Sequence, residues 1–380
     1  MSSDYLQKMG SRIRSEFNDL KRTLESASEE LNINLEELEN IVSGNCTLDE
    51  VHRLIFKMGD KYPIDISDLF LIKDDCENGI KIMKKYDSEL SSRTLDRKDR
   101  NNNLKPYYEY RDTAMSKLSS FKPEWIRELR VVGDSNPDNP DVIYNNGHFL
   151  HQITFFIGPV NFYWKENGKS YCKEMNTGDS NYITPFYPHS FTSRDKNKDA
   201  IIIAVTFGGE VRKNQKEIYW MGNDRIQKFI EMGKQKQKYN FIPVSINQNK
   251  EYDIINSSYK IRKMADVPHL SVGRGFDIEV LGSESNDIFE VPYHTYVYNY
   301  GKSSSYFSWK YDGDNYRKLL EPGDSIYVQP FIRYSIGNRD KINNKIITIE
   351  VPTNINESTQ IELSYFLNNN RITNETERWF

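Results

Sequence analysis

Three side chains in the middle of the chain, His148, Gln152 and His189, could together bind a metal ion. Residues 148–158 are typical of a strand that leads to a turn, and strand alternation places His148 and Gln152 on one face. Because four residues of straight strand span about 13 Å, a bend or bulge must bring both to one ion. Two imidazoles and one oxygen donor leave open coordination positions, as in non-haem Fe(II) oxygenases. The pattern predicts such a site; the alternative is two ordinary strand histidines.

An internal repeat favours the metal site. The segment Gly178–Phe186 (GDSNYITPF) returns 145 residues later as Gly323–Phe331 (GDSIYVQPF), and a Trp-Lys pair at 164–165 returns at the same offset. A fixed offset of this kind indicates two copies of one structural unit. At the three candidate ligand positions the second copy holds Tyr293, Val297 and Tyr334. We therefore predict one active copy and one structural copy.

The elements that must position these residues change along the chain. The first seventy or so residues have helical apolar spacing and little Gly or Pro, which predicts a helix-turn-helix-like bundle. From about residue 126, short runs of Val, Ile, Phe and Tyr broken by turn residues predict strands. The expected fold class is α+β, a helical bundle followed by two β-barrels. The predicted ranges are a helical domain at 1–85, an exposed connector at 86–125, a catalytic barrel at 126–214, a partly helical linker at 215–265, and a degenerate second barrel with a tail at 266–380.

Composition and charge narrow the class of protein. Aromatic residues make up 13% of the chain, which favours a folded protein over a disordered one. A net charge of −4 gives no general attraction to nucleic acid or to an anionic membrane, so neither is an expected partner. The cysteines, Cys46, Cys76 and Cys172, are too scattered for a disulfide framework or a zinc site. Without an apolar run of membrane-spanning length or a signal-peptide pattern, we expect a cytoplasmic protein.

Two motifs carry a resemblance to a known family. The sequence Gly178-Asp179 with Pro185, Pro188 and His189 resembles the second cupin motif, and Asn-Asn-Gly before His148 resembles the start of the first. With a helical bundle ahead of them and the run Tyr-Tyr-Glu-Tyr at 107–110, the chain resembles the phosphonate-processing cupin oxygenases. The resemblance covers most of the chain and implies that both β units are cupin barrels.

The pattern of ligands distinguishes branches within this family. The epoxidase branch uses Glu four residues after the first His, where this chain has Gln152. The dioxygenase branch takes its carboxylate six residues before the last His, where this chain has Ile183. A set without a carboxylate resembles the branch that converts 2-hydroxyethylphosphonate and O2 to methylphosphonate and bicarbonate or CO2. The resemblance therefore implies Fe(II) as cofactor, no external reductant, and the dioxygenase product hydroxymethylphosphonate as the alternative outcome.

The resemblance also implies roles for residues outside the ligand set. Lys21 matches a lysine that reaches the site in relatives from a neighbouring subunit or domain, which favours a homo-oligomer. Tyr110 matches a tyrosine that forms a hydrogen bond near the iron, and Asn145 matches an asparagine that binds phosphonate. The family arginine is assigned to Arg100, although an insertion of two residues must be assumed.

Two other classes of protein remain alternatives. A helix-turn-helix followed by a cupin is also the layout of ligand-sensing transcription regulators. The segment Asn34–Val42, at the recognition position, carries three glutamates and no cation, so DNA phosphates would repel it. A metal-free cupin that serves as a binding scaffold would require His148 and His189 to be dispensable.

Overall fold

The chain divides into a helical unit and a larger β unit in a computed structural model of the protein. The helical unit comprises the described parts of 1–74 and 355–380, and the β unit spans Asp75–Asn354. The structure describes residues 3–238, 240–267, 270, 272–282, 288–340, 342–365 and 372.

Helices form where apolar residues recur at helical spacing behind a capping residue. At the start of one helix the Thr47 hydroxyl accepts a hydrogen bond from the Glu50 N–H, and the Glu50 carboxylate accepts one from the Thr47 N–H. Leu38, Leu54 and Met58 are fully buried in the core of the helical unit. The helices are α1 (Ser3–Asp19), α2 (Leu24–Leu31), α3 (Leu35–Val42), α4 (Leu48–Lys61), α5 (Lys85–Leu90), α6 (Glu210–Lys213), α7 (Gln215–Lys236) and α8 (Glu357–Ser364).

The described residues of the β unit form two seven-stranded and two three-stranded antiparallel sheets. Its strands are β1 (Ile80–Met83), β2 (Arg93–Lys98), β3 (Leu104–Asp112), β4 (Phe121–Glu128), β5 (His151–Ile157), β6 (Val160–Glu166), β7 (Lys169–Met175), β8 (Ser180–Ile183), β9 (His189–Ser193), β10 (Ile201–Phe207), β11 (Val244–Asn247), β12 (Asp253–Ile254), β13 (Tyr259–Lys263), β14 (Arg274–Val280), β15 (Tyr293–Asn299), β16 (Ser305–Tyr311), β17 (Asp314–Leu320), β18 (Ser325–Val328), β19 (Arg333–Asn338) and β20 (Asn344–Pro352).

The sheet topology shows that one arrangement of strands occurs twice within the β unit. The first copy has the order β11-β8-β5-β10-β4-β3-β2 beside the small sheet β7-β6-β9, and the second has β1-β18-β15-β20-β14-β13-β12 beside β17-β16-β19. In each copy the large and small sheets share an apolar core, as Phe156, Phe162 and Phe191 show in the first. Among the described residues each copy is therefore an open sandwich of two sheets, and no hydrogen-bonded barrel closes.

The two sandwiches exchange edge strands and pack on each other. β1 precedes the first copy in sequence but pairs with β18 of the second, and β11 precedes the second copy but pairs with β8 of the first. The outer faces of the two large sheets share a core in which the ring of Phe121 packs against Tyr296 and Tyr327. The inner face of the first large sheet is thereby left free to form a cavity with its small sheet.

The predicted ranges differ from the structure at three places. Strands β11, β12 and β13 lie within the predicted linker 215–265 and belong to the two large sheets. The segment expected as an exposed connector, 86–125, contains α5, β2, β3 and the start of β4. Its β2 is an edge strand in which five of six residues are exposed and four are charged, so it lacks the apolar alternation by which strands are recognised. The helical domain ends near residue 74 rather than 85, because β1 belongs to a sheet. Most of the predicted C-terminal tail lies outside the described residues.

No helix in the described ranges is both long enough and apolar enough to cross a membrane.

Candidate metal centre

A cavity of about 120 Å³ opens on the inner face of the first sandwich. It lies between the large sheet, which contributes residues of β2, β3, β4, β5 and β10, and the start of β9 in the small sheet. It is lined by Arg97, Tyr108, Tyr110, Glu124, Ile126, Asn145, His148, Gln152, His189, Phe191 and Thr206. The structure therefore brings together five residues that the sequence predicts at the site: Tyr110, Asn145, His148, Gln152 and His189.

Two loops held together by backbone hydrogen bonds place the histidines side by side. Asn145 N–H donates to the carbonyl of His189 (3.0 Å), and Phe186 N–H donates to the carbonyl of His148 (2.9 Å). Gly147 has φ +77°, and a Cβ there would lie 2.5 Å from the backbone of Phe186, so glycine permits this close approach. The side-chain oxygen of Asn145 also accepts the N–H of His189 (2.9 Å).

His148 lies in the loop before β5 rather than in the strand itself. β5 begins at His151, so the chain turns between residues 148 and 150. The expectation that a strand begins at His148 is wrong, and the bend is what allows His148 to reach Gln152. Gln152 lies within β5, opposite Ile183 of β8 and Thr206 of β10. Ile183, at the position of the dioxygenase carboxylate, is fully buried and offers no ligand atom.

The hydrogen bonds of the imidazoles determine which nitrogen is free to bind a metal. Nδ1 of His148 is 2.8 Å from the carbonyl of Leu150, and Nδ1 of His189 is 2.9 Å from the carbonyl of Tyr187. Because a carbonyl oxygen only accepts, each Nδ1 carries the proton and each Nε2 keeps a lone pair. The lone pair of His189 Nε2 accepts a hydrogen bond from Nδ2 of Asn145 over 3.0 Å, a contact that a bound metal ion would replace. Burial lowers the pKa of His189 to about 4, which favours the neutral, metal-binding form.

The distances fit a shared cation. Oε1 of Gln152 lies 3.1 Å from Nε2 of His148, and the His148 and His189 rings have centroids 5.0 Å apart. Two acceptor atoms at this distance repel each other unless a cation lies between them. Ligand atoms about 2.1 Å from one ion and at right angles to each other would be about 3.0 Å apart. The neutral amide and the two neutral imidazoles would leave a divalent ion with its full charge.

The tyrosine-rich strand β3 forms one wall of the cavity. The hydroxyl groups of Tyr107 and Tyr108 lie 2.9 and 3.3 Å from the Ser190 hydroxyl, and Tyr108 accepts the N–H of Phe191 (3.1 Å). Burial raises the pKa of Tyr110 well above its ordinary value, so its phenol stays a hydrogen-bond donor at neutral pH.

Two predicted residues are not among those that line this cavity. Lys21 belongs to the helical unit, where its exposed ammonium group donates to the carbonyl of Asn18 (3.3 Å). The guanidinium of Arg100 forms an ion pair with Asp141, in which its Nε donates over 2.9 Å.

Sequence reasoning missed the two charged lining residues, Arg97 and Glu124. The guanidinium of Arg97 lies over the rings of Tyr107 and Tyr108, at 5.4 and 5.6 Å. A bulge after Leu95 shifts the pairing of β2 with β3, so counting residues back from the tyrosines could not identify Arg97. Burial raises the pKa of Glu124, which favours its neutral form compared with an exposed glutamate.

Comparison with known proteins gives relatives that match almost the whole chain. No protein-family model matches. The chain is 34% identical to methylphosphonate synthase from Nitrosopumilus maritimus over 450 aligned positions, covering 99% of this chain and 96% of the relative. It is 28% identical to Streptomyces albus HEPD solved with 2-hydroxyethylphosphonate and Fe(II) bound, with a TM-score of 0.83 and 95% of each chain covered. A cadmium-containing PhpD, 14% identical with a TM-score of 0.66 over 97% of this chain and 99% of that one, shares the fold.

Proposed function

The chain belongs to the methylphosphonate synthase family, and we propose that it converts 2-hydroxyethylphosphonate and O2 to methylphosphonate and bicarbonate. The C–C bond of the substrate breaks, the hydroxymethyl carbon leaves as bicarbonate, and the carbon attached to phosphorus becomes a methyl group. All electrons needed to reduce O2 come from the substrate, so no external reductant is required. Fe(II) supplies the open coordination positions at which the substrate and O2 react.

The convergence of His148, Gln152 and His189 carries this proposal. Two unprotonated Nε2 atoms and one amide oxygen face the same cavity, and we assign them as the iron ligands. The iron in HEPD, to which the chain is similar over 95% of its length, supports this assignment. We assign both sandwiches to the cupin fold, with the second copy retained as a structural partner because its residues at the ligand positions are Tyr293, Val297 and Tyr334.

Charge balance favours a doubly negative substrate. A divalent ion with three neutral ligands keeps a charge of +2, which the phosphonate dianion neutralises when it binds. Arg97 lines the cavity and offers the planar donor array suited to phosphonate oxygens, so we assign the phosphonate-binding arginine to Arg97 in place of Arg100. Asn145 is the second phosphonate ligand, and the Tyr110 hydroxyl donates to the bound substrate.

Lys21 completes the proposed site from a second copy of the chain. Its exposed position and its single long hydrogen bond to a backbone carbonyl leave the ammonium group available to an anion. A lysine supplied in this way requires a homo-oligomer.

Anaerobic reconstitution with Fe(II), followed by addition of 2-hydroxyethylphosphonate and O2, tests the reaction by phosphorus NMR. We expect a methylphosphonate signal that disappears in His189→Ala and persists in the control His52→Ala, a histidine of the helical unit. Hydroxymethylphosphonate as the main product would move the chain to the dioxygenase reaction of its structural relative. No turnover by an iron-loaded protein would contradict the proposal.

A further inference from the structure

An amide ligand poses a problem that a carboxylate does not. Either oxygen of a carboxylate can bind iron, whereas only one end of the Gln152 side chain can, because its NH2 group has no available lone pair. We propose that Thr154 is a positioning residue that holds the Gln152 carboxamide with its oxygen toward the metal. This inference rests on the proposed function only in taking Gln152 as a metal ligand.

The hydrogen bonds of Gln152 divide its two ends between different partners. Nε2 of Gln152 donates to Oγ1 of Thr154 over 2.8 Å, while Oε1 lies 3.1 Å from Nε2 of His148. Thr154 is fully buried and Gln152 is 5% exposed, so water cannot readily replace this contact. The two side chains share a face of β5 because they are two residues apart.

Thr154 accepts the hydrogen bond from Gln152 while its own hydroxyl proton is donated to another acceptor. Thr154 lies directly opposite Asn181 of β8, and such pairs have Cβ atoms about 4.5–5.5 Å apart. Asn181 is fully buried, and neither end of its amide has a hydrogen-bond partner among the described residues. Its Oδ1 can accept the Thr154 proton through one bridging water, which leaves a Thr154 lone pair for the NH2 of Gln152.

The second copy of the repeat shows what happens to these positions where no metal site exists. At the same offset Gln152, Thr154 and Asn181 become Val297, Asn299 and Ile326. Asn299 donates instead to the backbone carbonyls of Ser303 and Leu320, which lie in a turn and at a strand end. The three polar side chains Gln152, Thr154 and Asn181 therefore occur together only in the copy that carries the candidate ligands.

Metal titration separates an orienting role from a general structural one. Removing a group that orients a metal ligand lowers metal affinity by about 10- to 100-fold. We expect Thr154→Val, which keeps the side-chain shape but lacks the hydroxyl, to weaken Co(II) binding at least about 10-fold, measured anaerobically by visible absorption. Thr154→Ser, which restores the hydroxyl, should stay within about 3-fold of the wild type.

The control is to repeat the Thr154→Val substitution in a Gln152→Glu variant. Either oxygen of the introduced carboxylate can bind the metal, so this side chain does not need to be oriented. In that background Thr154→Val should change Co(II) affinity by less than about 3-fold. An equal loss in both backgrounds, or unchanged binding by Thr154→Val alone, would overturn the inference. Because the titration contains no substrate, a wild type that binds the metal but does not turn over 2-hydroxyethylphosphonate would contradict the proposed function and leave the role of Thr154 standing.

Discussion

The side-chain oxygen of Gln152 lies 3.1 Å from a nitrogen of His148 that has no proton to share, because the other nitrogen of that ring donates to the carbonyl of Leu150. Two lone pairs that face each other in a buried cavity are stable together when a cation lies between them. This relationship supports the proposal that a metal ion binds in the first sandwich with an amide as its third protein ligand.

Replacing the amide with a carboxylate should change the charge of the centre by one unit. We expect Gln152→Glu to bind Fe(II) at least as tightly as the wild type, and its KM for 2-hydroxyethylphosphonate to rise about 3- to 10-fold, since a centre of charge +1 attracts the dianion less strongly. Steady-state O2 consumption gives KM, and phosphorus NMR shows whether the product changes. An unchanged KM would mean that the charge of the centre does not determine substrate binding.

Arg97 and Arg100 form a matched pair for testing the phosphonate site. Arg97→Gln removes a cation from the cavity, and the loss of a charge-assisted hydrogen bond of about 1.5–3 kcal/mol should raise KM about 10- to 100-fold. Arg100→Gln breaks an exposed ion pair with Asp141 and should change KM less than about 2-fold. The reverse ranking would return the phosphonate contact to Arg100.

Mixing two inactive variants tests whether Lys21 acts from a second subunit. Lys21→Ala and His189→Ala should each be inactive alone, because each lacks one part of every site. In a dimer that exchanges subunits freely, half of the molecules are mixed and each has one complete site, so activity should recover to about a quarter. A mixture that stays inactive would mean that the lysine serves its own chain, and a fully active Lys21→Ala would remove it from the site.

The second sandwich supplies a pH dependence that is separate from the metal site. His294 is partly buried and forms a hydrogen bond with Tyr327 (2.7 Å), and burial lowers its pKa to about 4 from an ordinary value of 6.5. Between these pH values the unfolded chain binds a proton that the folded chain does not. The free energy of unfolding should therefore fall as pH drops from about 6.5 toward 4, by no more than about 1.4 kcal/mol per pH unit and less after allowance for partial exposure.

Urea unfolding at pH 7 and pH 5 measures this contribution. We expect the metal-free wild type to lose more stability over that interval than His294→Gln, while the control His52→Gln should follow the wild type. Equal losses for all three proteins would show that His294 is not the group responsible.

The repeat was predictable from the sequence because its turns restrict residue types. Gly178 and Gly323 have φ values of +90° and +93°, and Phe186 and Phe331 also adopt positive φ, at 74° and 63°. Few residues tolerate these conformations, so the same letters recur at the same offset. Comparing the two copies then pointed to His148, Gln152 and His189 without any knowledge of the fold.

Other features left no comparable signal in the sequence. The charged residues of β2 resemble a connector because an edge strand does not need an apolar face, and the bulge after Leu95 hides the position of Arg97. Thr154 and Asn181 look like ordinary strand residues until the pairing of β5 with β8 places them side by side. Spacing along one strand can be derived from sequence, whereas contacts between strands depend on register.

Anomalous diffraction at the iron edge, from crystals grown anaerobically with Fe(II) and 2-hydroxyethylphosphonate, tests the central claim most directly. We predict one iron per chain, bound by Nε2 of His148, Nε2 of His189 and Oε1 of Gln152, with the NH2 of Gln152 still donating to Thr154. Iron bound elsewhere, or a Gln152 amide turned away from the ion, would contradict the assignment of an amide as the third ligand.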